Sequence, residues 1–565
     1  MPSGIHAFLE ILAAHGVRYI FGNPGTTELP LNDALVGDAR FRHILGLQEV
    51  PVMAMADGFA MASGQIGVVN LHISCGLGNA MGMLYNAHRE GTPLIVTAGQ
   101  QDRRLMFEEP ILWGEMVEVA RPWTKWTCEV RRIEDLPSAV RRAIQTALTP
   151  PTGPVFLSLP IDLQTEVCNT LDLSPPHLPN ARVRAPLNAL HDAVQLLASA
   201  KHPAILAGSR VTERDAAAQL LRVAELLGAP VMHESGTTHG RLAFPTDHPL
   251  SALGLPLWSN EVHARLLPYD VVLVTGLDLL RQYIHHPTPA IPTSVKLVQI
   301  DEDPRQIGKN YPVAVGLIGD TQATLEELAE FLEGELSPRG RGAAQARLAD
   351  YAAERAAATA KLLAQIESQR DTRPLTPLAF MHALARVLPD DVAVIEEAVT
   401  TTNTTLQRLG AIKNTTGYFG HRGWALGWGL GVTLGAQLAW PHRPVLGIIG
   451  EGAIMYGVQA LWSAARYNIG ATIVVPNNAQ YKILKICASQ LHLPQAAVGH
   501  YESLDIVQPE VDLVSLAQSL GIAACRITEP DELSDRVAAN FKAQRPLLID
   551  VPITRTASPR LNYGT

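Results

Sequence analysis

Short apolar runs recur along the chain, separated by stretches in which apolar residues return every three to four positions. Tyr19 to Phe21, His43 to Leu47, Val68 to Leu71, Leu94 to Ala98 and Val155 to Leu159 read as buried strands alternating with helices, up to about Leu171. A second series holds Ala204 to Ala207, Val271 to Thr275 and Lys296 to Ile300, with the helical stretch Ala216 to Leu227 among them. A third contains Val392 to Glu396, Val445 to Ile449, Ile473 to Val475 and Leu547 to Val551. Between the last two series, the Ala-, Arg- and Glu-rich stretch Arg339 to Arg370 has helical composition with turn residues at each end. Such alternation predicts an α/β fold of three doubly wound parallel sheets, each covered on both faces. The expected domains span 1–180, 185–335 and 374–565, with a linker over 336–373 and a loose tail from Ser558 to Thr565.

The stretch Gly450 to Tyr481 is the most informative. An apolar run ends in Gly450-Glu451-Gly452, an amphipathic helix follows with Val458, Leu461, Trp462 and Ala465 at helical spacing, and a second strand ends in Asn477-Asn478. In parallel sheets the carboxyl ends of strands form the ligand crevice, and glycines beside an acid let backbone N–H groups approach a phosphate. The acid and the amide would hold a hard divalent cation against that phosphate, and oxygen ligands of this kind suit magnesium. Other strand ends are polar too: Asn23 to Glu28, Gln48-Glu49, and His72 to Asn79. Val-Gln-Ile-Asp301 ends in an acid, as in dinucleotide-binding folds, but no GxGxxG accompanies it, which favours a Rossmann-like domain kept as structure.

Length and composition narrow the class. At 565 residues the chain is too long for a single core. Its 47% hydrophobic and 18% charged content is that of an ordinary water-soluble protein, with no apolar run of membrane-spanning length and no secretory leader pattern. A cytoplasmic protein without a membrane partner is expected. A net charge of −9 with no basic stripe argues against a nucleic-acid partner. Five scattered cysteines without CxxC spacing read as buried free thiols.

FGNPGTTELP (Phe21 to Pro30), LQE (Leu47 to Glu49), NLHISCGLGNAMG (Asn70 to Gly82), PLIVTAGQQ (Pro93 to Gln101) and the unit from Gly450 to Asn478 occur in one order along the chain. Together they resemble the thiamin-diphosphate (ThDP) enzymes, most closely the benzoylformate decarboxylases among the 2-oxoacid decarboxylases, acetolactate synthases and benzaldehyde lyases. The resemblance implies pyrimidine-binding, middle and diphosphate-binding domains, ThDP and Mg2+ as cofactors, and a homotetramer built as a pair of dimers with active sites between subunits. By the same resemblance Glu49 hydrogen-bonds N1′ of the aminopyrimidine. Trp424 and Leu426 meet the pyrimidine, and Leu426 props the two rings of the cofactor into a V. Gly450, Gly452, Ala453, Asn478 and Tyr481 surround the diphosphate. Thr400 and Thr401 stand where the family contacts it, although a helix N-cap accounts for either equally well. Glu451, Asn478 and the carbonyl of Gln480 would bind the metal, with Glu451 where the family normally has Asp.

For the substrate, Thr26 stands in place of a serine and His72 matches the first of two histidines. Tyr283 falls where the second belongs, with His285 and His286 just downstream, and His421 is a further candidate acid. Each of these histidines also reads as a satisfied surface or core side chain. Ile483, Leu484 and Cys487 would give an apolar pocket lining. The implied reaction is non-oxidative decarboxylation of an aryl or otherwise bulky 2-oxoacid to an aldehyde. The alternatives are a carboligase acting on aldehydes, a non-catalytic ThDP-binding relative, and, from a different class, a nicotinamide or flavin oxidoreductase using the middle domain.

Overall fold

In the computed structural model, which describes residues 2–234, 240–281 and 283–555, three sheets are parallel throughout. The first holds β1 (Tyr19–Gly22), β2 (Arg42–Leu45), β3 (Gly67–Leu71), β4 (Leu94–Gln100), β5 (Trp126–Glu129) and β6 (Val155–Pro160), in the order β2-β1-β3-β4-β6-β5. The middle sheet holds β7 (Pro203–Ala207), β8 (Val231–His233), β9 (Val271–Thr275), β10 (Lys296–Asp301) and β11 (Val315–Ile318), in the order β11-β10-β9-β7-β8. The third holds β12 (Ala393–Glu397), β13 (Tyr418–Phe419), β14 (Val445–Ile449), β15 (Thr472–Asn477), β16 (Ala523–Arg526) and β17 (Leu547–Pro552). Its order, β13-β12-β14-β15-β17-β16, repeats that of the first sheet strand for strand.

The central strands β3, β4, β6, β14 and β15 are buried along their whole length, which is why they read as unbroken apolar runs. The sequence pattern passes over β5, β11 and β16, half-exposed edge strands without such a run, and over β8 and β13, which have three and two residues. The linker stretch is one helix, Pro338–Ser368, opened by Ser337, whose side chain accepts from the Gly340 N–H. The helix expected after Glu451 is divided into Glu451–Ile454 and Ala460–Tyr467. Gly457 lies in the break, where a Cβ would come within 3.1 Å of the Gly427 carbonyl oxygen.

The first and third domains share a core. Helix Glu49–Ser63 packs in parallel against helix Trp428–Ala439 through stripes of small residues four apart: Val50, Ala54 and Gly58 on one side, Gly427, Gly431 and Gly435 on the other. A Cβ on Gly431 would lie 2.4 Å from that of Ala54, and one on Gly435 would lie 2.1 Å from the Met55 carbonyl oxygen. Only glycine allows the two backbones to approach so closely. Across the pair, Trp428 Nε1 donates to Asp57 Oδ2 at 2.8 Å. One apolar cluster joins Phe21, Met53 and Val96 to Ile395, Leu430 and Val475, whereas the middle domain has cores of its own. The register sets both helix N-termini at one end, so Glu49 and the loop from Trp424 to Leu426 share that end.

All five cysteines are free, but only Cys487 is buried, and Cys75 is exposed, which corrects the expectation of buried thiols. Among the described residues no helix is long and apolar enough to cross a membrane. The stretch Ser558 to Thr565 lies outside the described residues.

Candidate active site

Glu49 opens its helix just past β2, an end where the helix dipole favours a negative charge. It is 5% exposed. Asn23 Nδ2 donates to its Oε1 and Asn79 Nδ2 to its Oε2, each at 3.0 Å. Two amides, one from the loop after β1 and one from the helix Ile73–Glu90 after β3, thus fix the carboxyl group while leaving each oxygen a further lone pair.

Glu28 is buried in the turn after β1 and collects five donors. Its Oε2 accepts from the Gly25 N–H at 3.0 Å and from His72 Nδ1 at 2.8 Å. Its Oε1 accepts from Thr27 Oγ1 at 2.8 Å, the Gly99 N–H at 2.8 Å and the Ile73 N–H at 3.3 Å. A carboxylate so surrounded offers only acceptors, so the His72 proton sits on Nδ1 and Nε2 is the nitrogen left for exchange. Gly25 makes this contact possible, because a Cβ there would lie 1.9 Å from His72 Nδ1. Ile73, next in line, has φ +33°, a left-handed conformation that costs a β-branched residue about 1–3 kcal/mol. Its N–H on Glu28 helps offset that cost. Thr26 is exposed in the same turn, so Thr26, His72 and Glu49 all stand on the carboxyl-end loops of β1 to β3.

In the third domain Glu397, the last residue of β12, accepts the N–H groups of Gly427 (3.1 Å), Trp428 (3.2 Å) and Gly429 (2.9 Å). Its main-chain carbonyl accepts the Gly450 N–H at 3.1 Å, which leaves Gly450 no amide to offer a phosphate. Burial pushes the Glu397 carboxyl up to about 7, against the pull of those three amides. Asn86 of the first domain pairs with Ala425 in both directions, at 2.8 and 3.0 Å, and Leu426 is half-buried against the shared core.

The Glu451 carboxylate, 8% exposed, accepts the Gln480 N–H at 3.0 Å, and the Asn478 N–H also reaches it. Burial raises its pKa against those amides. Asn478 Oδ1 is buried without a hydrogen-bond partner among the described residues, whereas both side-chain ends of Asn477 are engaged, by Asp550 and by the Ala479 N–H. The side chain of Gln480 is held by the Arg555 carbonyl and by Lys485, so only its main-chain oxygen is available. A buried amide oxygen without a donor costs about 1–3 kcal/mol. An oxygen-loving cation beside Glu451 would remove that cost, so this donor set fits magnesium. Among the described residues no group of three His, Cys, Asp or Glu side chains forms a metal cluster.

Around this centre the backbone is strained: Asn403, Thr404, Trp424 and Ala479 have φ of +39°, +55°, +69° and +48°. Thr400 is half-buried and Thr401 buried in the short helix Val399–Thr402, whose N-cap is Ala398, so neither threonine is the cap. Asn403 Oδ1, Thr404 Oγ1 and Thr405 Oγ1 are buried without partners among the described residues, and the two hydroxyls are donors that a diphosphate could engage. Gly452 faces the Tyr481 ring, 2.8 Å from where its Cβ would stand. Ala453 follows it in the first turn of its helix.

Tyr283 is 49% exposed, with its ring 5.5 Å from that of Trp424 and 6.2 Å from that of Trp258. It hydrogen-bonds to the Cys487 thiol, and burial raises the pKa of both groups. Ile483 is half-buried and Leu484 exposed on the same helix as Cys487. His285 and His286 are exposed. Among the described residues no hydrogen bond or ring contact joins Tyr283 to His72. His421 is corrected as a candidate acid. It is buried, its Nδ1 accepts the Trp424 N–H at 3.0 Å, and burial lowers its pKa to about 4, so it is neutral near pH 7. Its role is to hold Trp424 in its left-handed conformation.

Glu28, Asn23, Asn79, Asn86 and Glu397 are the site residues that sequence reasoning missed, although the first three lie within the quoted motifs. In the middle domain Asp301, the acid that an oxidoreductase would need, is buried and paired with Arg210 at 2.6 Å. Arg210 also meets Asp278 at 3.0 Å, and Arg422 meets Asp278 at 3.3 Å, so this strand-end crevice is filled by the chain's own ion pairs.

Family models for the thiamine pyrophosphate enzyme match over all three domains: the N-terminal TPP binding domain over residues 2–109, the central domain over 190–328 and the C-terminal TPP binding domain over 398–551. The chain is 34% identical over 556 residues to a benzoylformate decarboxylase of Pseudomonas aeruginosa, covering 98% of this chain and 99% of that protein. It is 28% identical over 570 residues to a probable acetolactate synthase large subunit of Methanocaldococcus jannaschii, covering 97% of this chain and 92% of that protein. The crystal structure of benzoylformate decarboxylase from Polynucleobacter necessarius superposes with a TM-score of 0.86 at 28% identity, over 99% of this chain and 100% of that one. A likeness that runs in order through all three sheets, and nearly end to end, makes this chain a member of the thiamine pyrophosphate enzyme family, whose cofactor is ThDP.

Proposed function

We propose that this protein carries out ThDP- and magnesium-dependent, non-oxidative decarboxylation of an aryl or similarly bulky 2-oxoacid to its aldehyde. The observation that carries the reading is the Glu28–His72 pair. An imidazole locked in one tautomer by a buried carboxylate, on the same strand ends as Glu49, suits return of a proton to a substrate carbon. When bound, ThDP supplies a thiazolium that accepts the electrons left behind by departing carbon dioxide.

The chain's own residues do the rest. Glu49, held by Asn23 and Asn79, exchanges a proton at N1′ of the aminopyrimidine. Glu451, Asn478 Oδ1 and the Gln480 carbonyl hold magnesium against the diphosphate, to which Gly452, Ala453 and the threonine-rich loop from Thr400 to Thr405 contribute donors. Trp424 and Leu426 meet the pyrimidine. The rings of Tyr283 and Trp424, with Cys487, give an aromatic wall suited to an aryl substrate. Similarity to benzoylformate decarboxylases supports the substrate class.

Carboligation is a second reading, favoured by one observation. The Tyr283 hydroxyl is engaged by Cys487 and raised in pKa by burial, which makes it a slow proton donor. Slow protonation favours capture of an acceptor aldehyde.

The proposed assembly is a homotetramer of paired dimers. In support, Leu47, Phe107, Ile111, Tyr456 and Leu484 are exposed on the segments that follow strands of both ThDP domains, with Phe107 at 99%. Five free thiols are in keeping with a cytoplasmic location.

The test is a panel of 2-oxoacids with product analysis, run on wild type and Glu49→Gln. Wild type should convert aryl 2-oxoacids to aldehydes only with ThDP and magnesium present. The variant should keep its fold and lose turnover about 100- to 10,000-fold. Undiminished turnover in Glu49→Gln, or no 2-oxoacid consumed by wild type, would overturn the reading.

A further inference from the structure

Beneath the linker helix Pro338–Ser368 lies a cavity of about 400 Å³. It opens at the amino ends of the middle-sheet strands, beside Pro230 just before β8 and Tyr269 just before β9, and so at the opposite end of that sheet from Arg210 and Asp301. None of the residues assigned to ThDP or magnesium lines it.

Leu250 and Leu253 of the middle domain and Leu362 of the helix give it an apolar wall. Tyr269 and Tyr351, hydrogen-bonded to one another, add two aromatic faces. The third domain contributes Arg408, the last residue of the short helix Thr405–Arg408. This guanidinium is half-buried and makes no ion pair or side-chain hydrogen bond among the described residues. Burial lowers its pKa, and no carboxylate offsets that effect. The other cations on the wall differ. Arg355 is engaged by the carbonyls of Ser251 and Thr246, and Lys361 is an exposed residue of the linker helix. Glu354 is the one carboxylate on the wall, and its charge acts on Tyr269.

A desolvated guanidinium without a counter-charge is costly, and an anion placed against it removes the cost. Its planar fork matches a carboxylate in two parallel hydrogen bonds. A mostly apolar cavity of this size, with few polar groups converging on one end, falls in the range that holds small ligands. We propose that the cavity binds a small organic acid with an apolar body, an aryl- or alkyl-carboxylate, whose carboxylate pairs with Arg408 while its body lies among Leu250, Leu253, Leu362 and the two tyrosines.

The probes are 3-phenylpropionate and its uncharged counterpart 3-phenylpropan-1-ol, titrated by calorimetry into the full-length protein. The variants are Arg408→Gln, which removes the charge, and Leu253→Trp, which fills the cavity. Thermal midpoints confirm that each variant is folded. Wild type should bind the acid at one site, with affinity about tenfold or more weaker in each variant, and should bind the alcohol about tenfold or more weaker than the acid. Equal acid affinity in wild type and both variants would show that any binding is elsewhere, including the ThDP site, and would overturn the proposal. Equal affinity for acid and alcohol would overturn the pairing with Arg408, and absence of acid binding would overturn the site itself. The alcohol comparison needs no variant, so misfolding of either substitution leaves the proposal testable.

Discussion

Glu397 accepts the Gly427 N–H through its side chain at 3.1 Å, and its main-chain carbonyl holds Gly450 at the same distance. One residue therefore ties the loop that ends at Leu426 to the N-cap of the helix Glu451–Ile454. Glu397→Ala would leave three buried N–H groups without an acceptor, a loss of about 1–3 kcal/mol for each group left unsatisfied. Glu397→Gln keeps the shape but turns an NH2 group toward one of the donors. The expected outcome is ThDP affinity weakened about tenfold or more in the alanine variant and less in the glutamine variant, with kcat at saturating ThDP changed less. Because the carboxyl is pushed up to about 7, wild-type affinity should also fall as pH drops below 7 and the group loses its full acceptor capacity. ThDP titrations of activity across pH check both. Unchanged affinity in both variants would show the loops to be held by other contacts.

Metal dependence turns on a side chain one methylene longer than the family's usual aspartate. Glu451→Asp should retain or tighten magnesium-dependent ThDP binding, although the shorter acid gives up its 3.0 Å hold on the Gln480 N–H. Glu451→Ala should weaken it strongly, leaving only two neutral oxygens, Asn478 Oδ1 and the Gln480 carbonyl. Magnesium titrations followed by cofactor retention on a desalting column read this out. Equal retention in all three proteins would place the metal elsewhere.

The proton that completes the reaction is assigned to His72 and is oriented by Glu28. His72→Ala should lower decarboxylation about 100-fold or more, and Glu28→Gln should lower it less. Tyr283→His should raise the ratio of aldehyde to hydroxyketone in the presence of an acceptor aldehyde, because an imidazole donates near neutrality where a phenol does not. His285→Ala should change neither, since His285 is exposed. Product ratios from these four variants decide the matter, and a large effect of His285→Ala would reverse the assignment of Tyr283.

Stability should respond to pH through Glu396, buried beside β13 with Tyr418 Oη donating to its Oε2 at 2.8 Å. Burial pushes this carboxyl up to about 8. The folded state therefore keeps a proton that the unfolded chain, with an ordinary carboxyl near 4.5, gives up sooner. Its contribution is full below about pH 4.5 and is lost as pH rises toward 8. Glu396→Gln removes that slope, so the drop in thermal midpoint between pH 5 and pH 8 should be smaller in the variant than in wild type. An equal drop would mean that Glu396 titrates normally.

The sheets were legible because β3, β4, β6, β14 and β15 are buried on both faces and must be apolar throughout. Edge strands such as β5 and β16 carry no such mark, and the break at Gly457 follows from contact with Gly427, thirty positions away. The same divide runs through the site. Glu49, His72 and Glu451 stand in recognisable strings, but what holds them does not. Glu28 lies 44 residues from His72, and Asn79 lies 30 from Glu49. No local pattern reports that these pairs meet at 2.8 and 3.0 Å, because the strand order of the sheet brings them together. His421 shows the converse: a histidine in a conspicuous string is a buried acceptor for its own loop.

The small-residue faces of helices Glu49–Ser63 and Trp428–Ala439 also govern how this protein is made. Gly431 follows its partner Ala54 by about 380 residues, which a ribosome adding ~5–20 residues per second takes roughly 20–75 s to reach. Until Gly431 is made, Val50, Ala54 and Gly58 stay uncovered, whereas the middle domain, with separate cores, does not wait for the C-terminal domain to close. The nascent chain therefore matures centre before ends, and an N-terminal fragment expressed alone keeps a bare apolar stripe until a C-terminal fragment is supplied in trans.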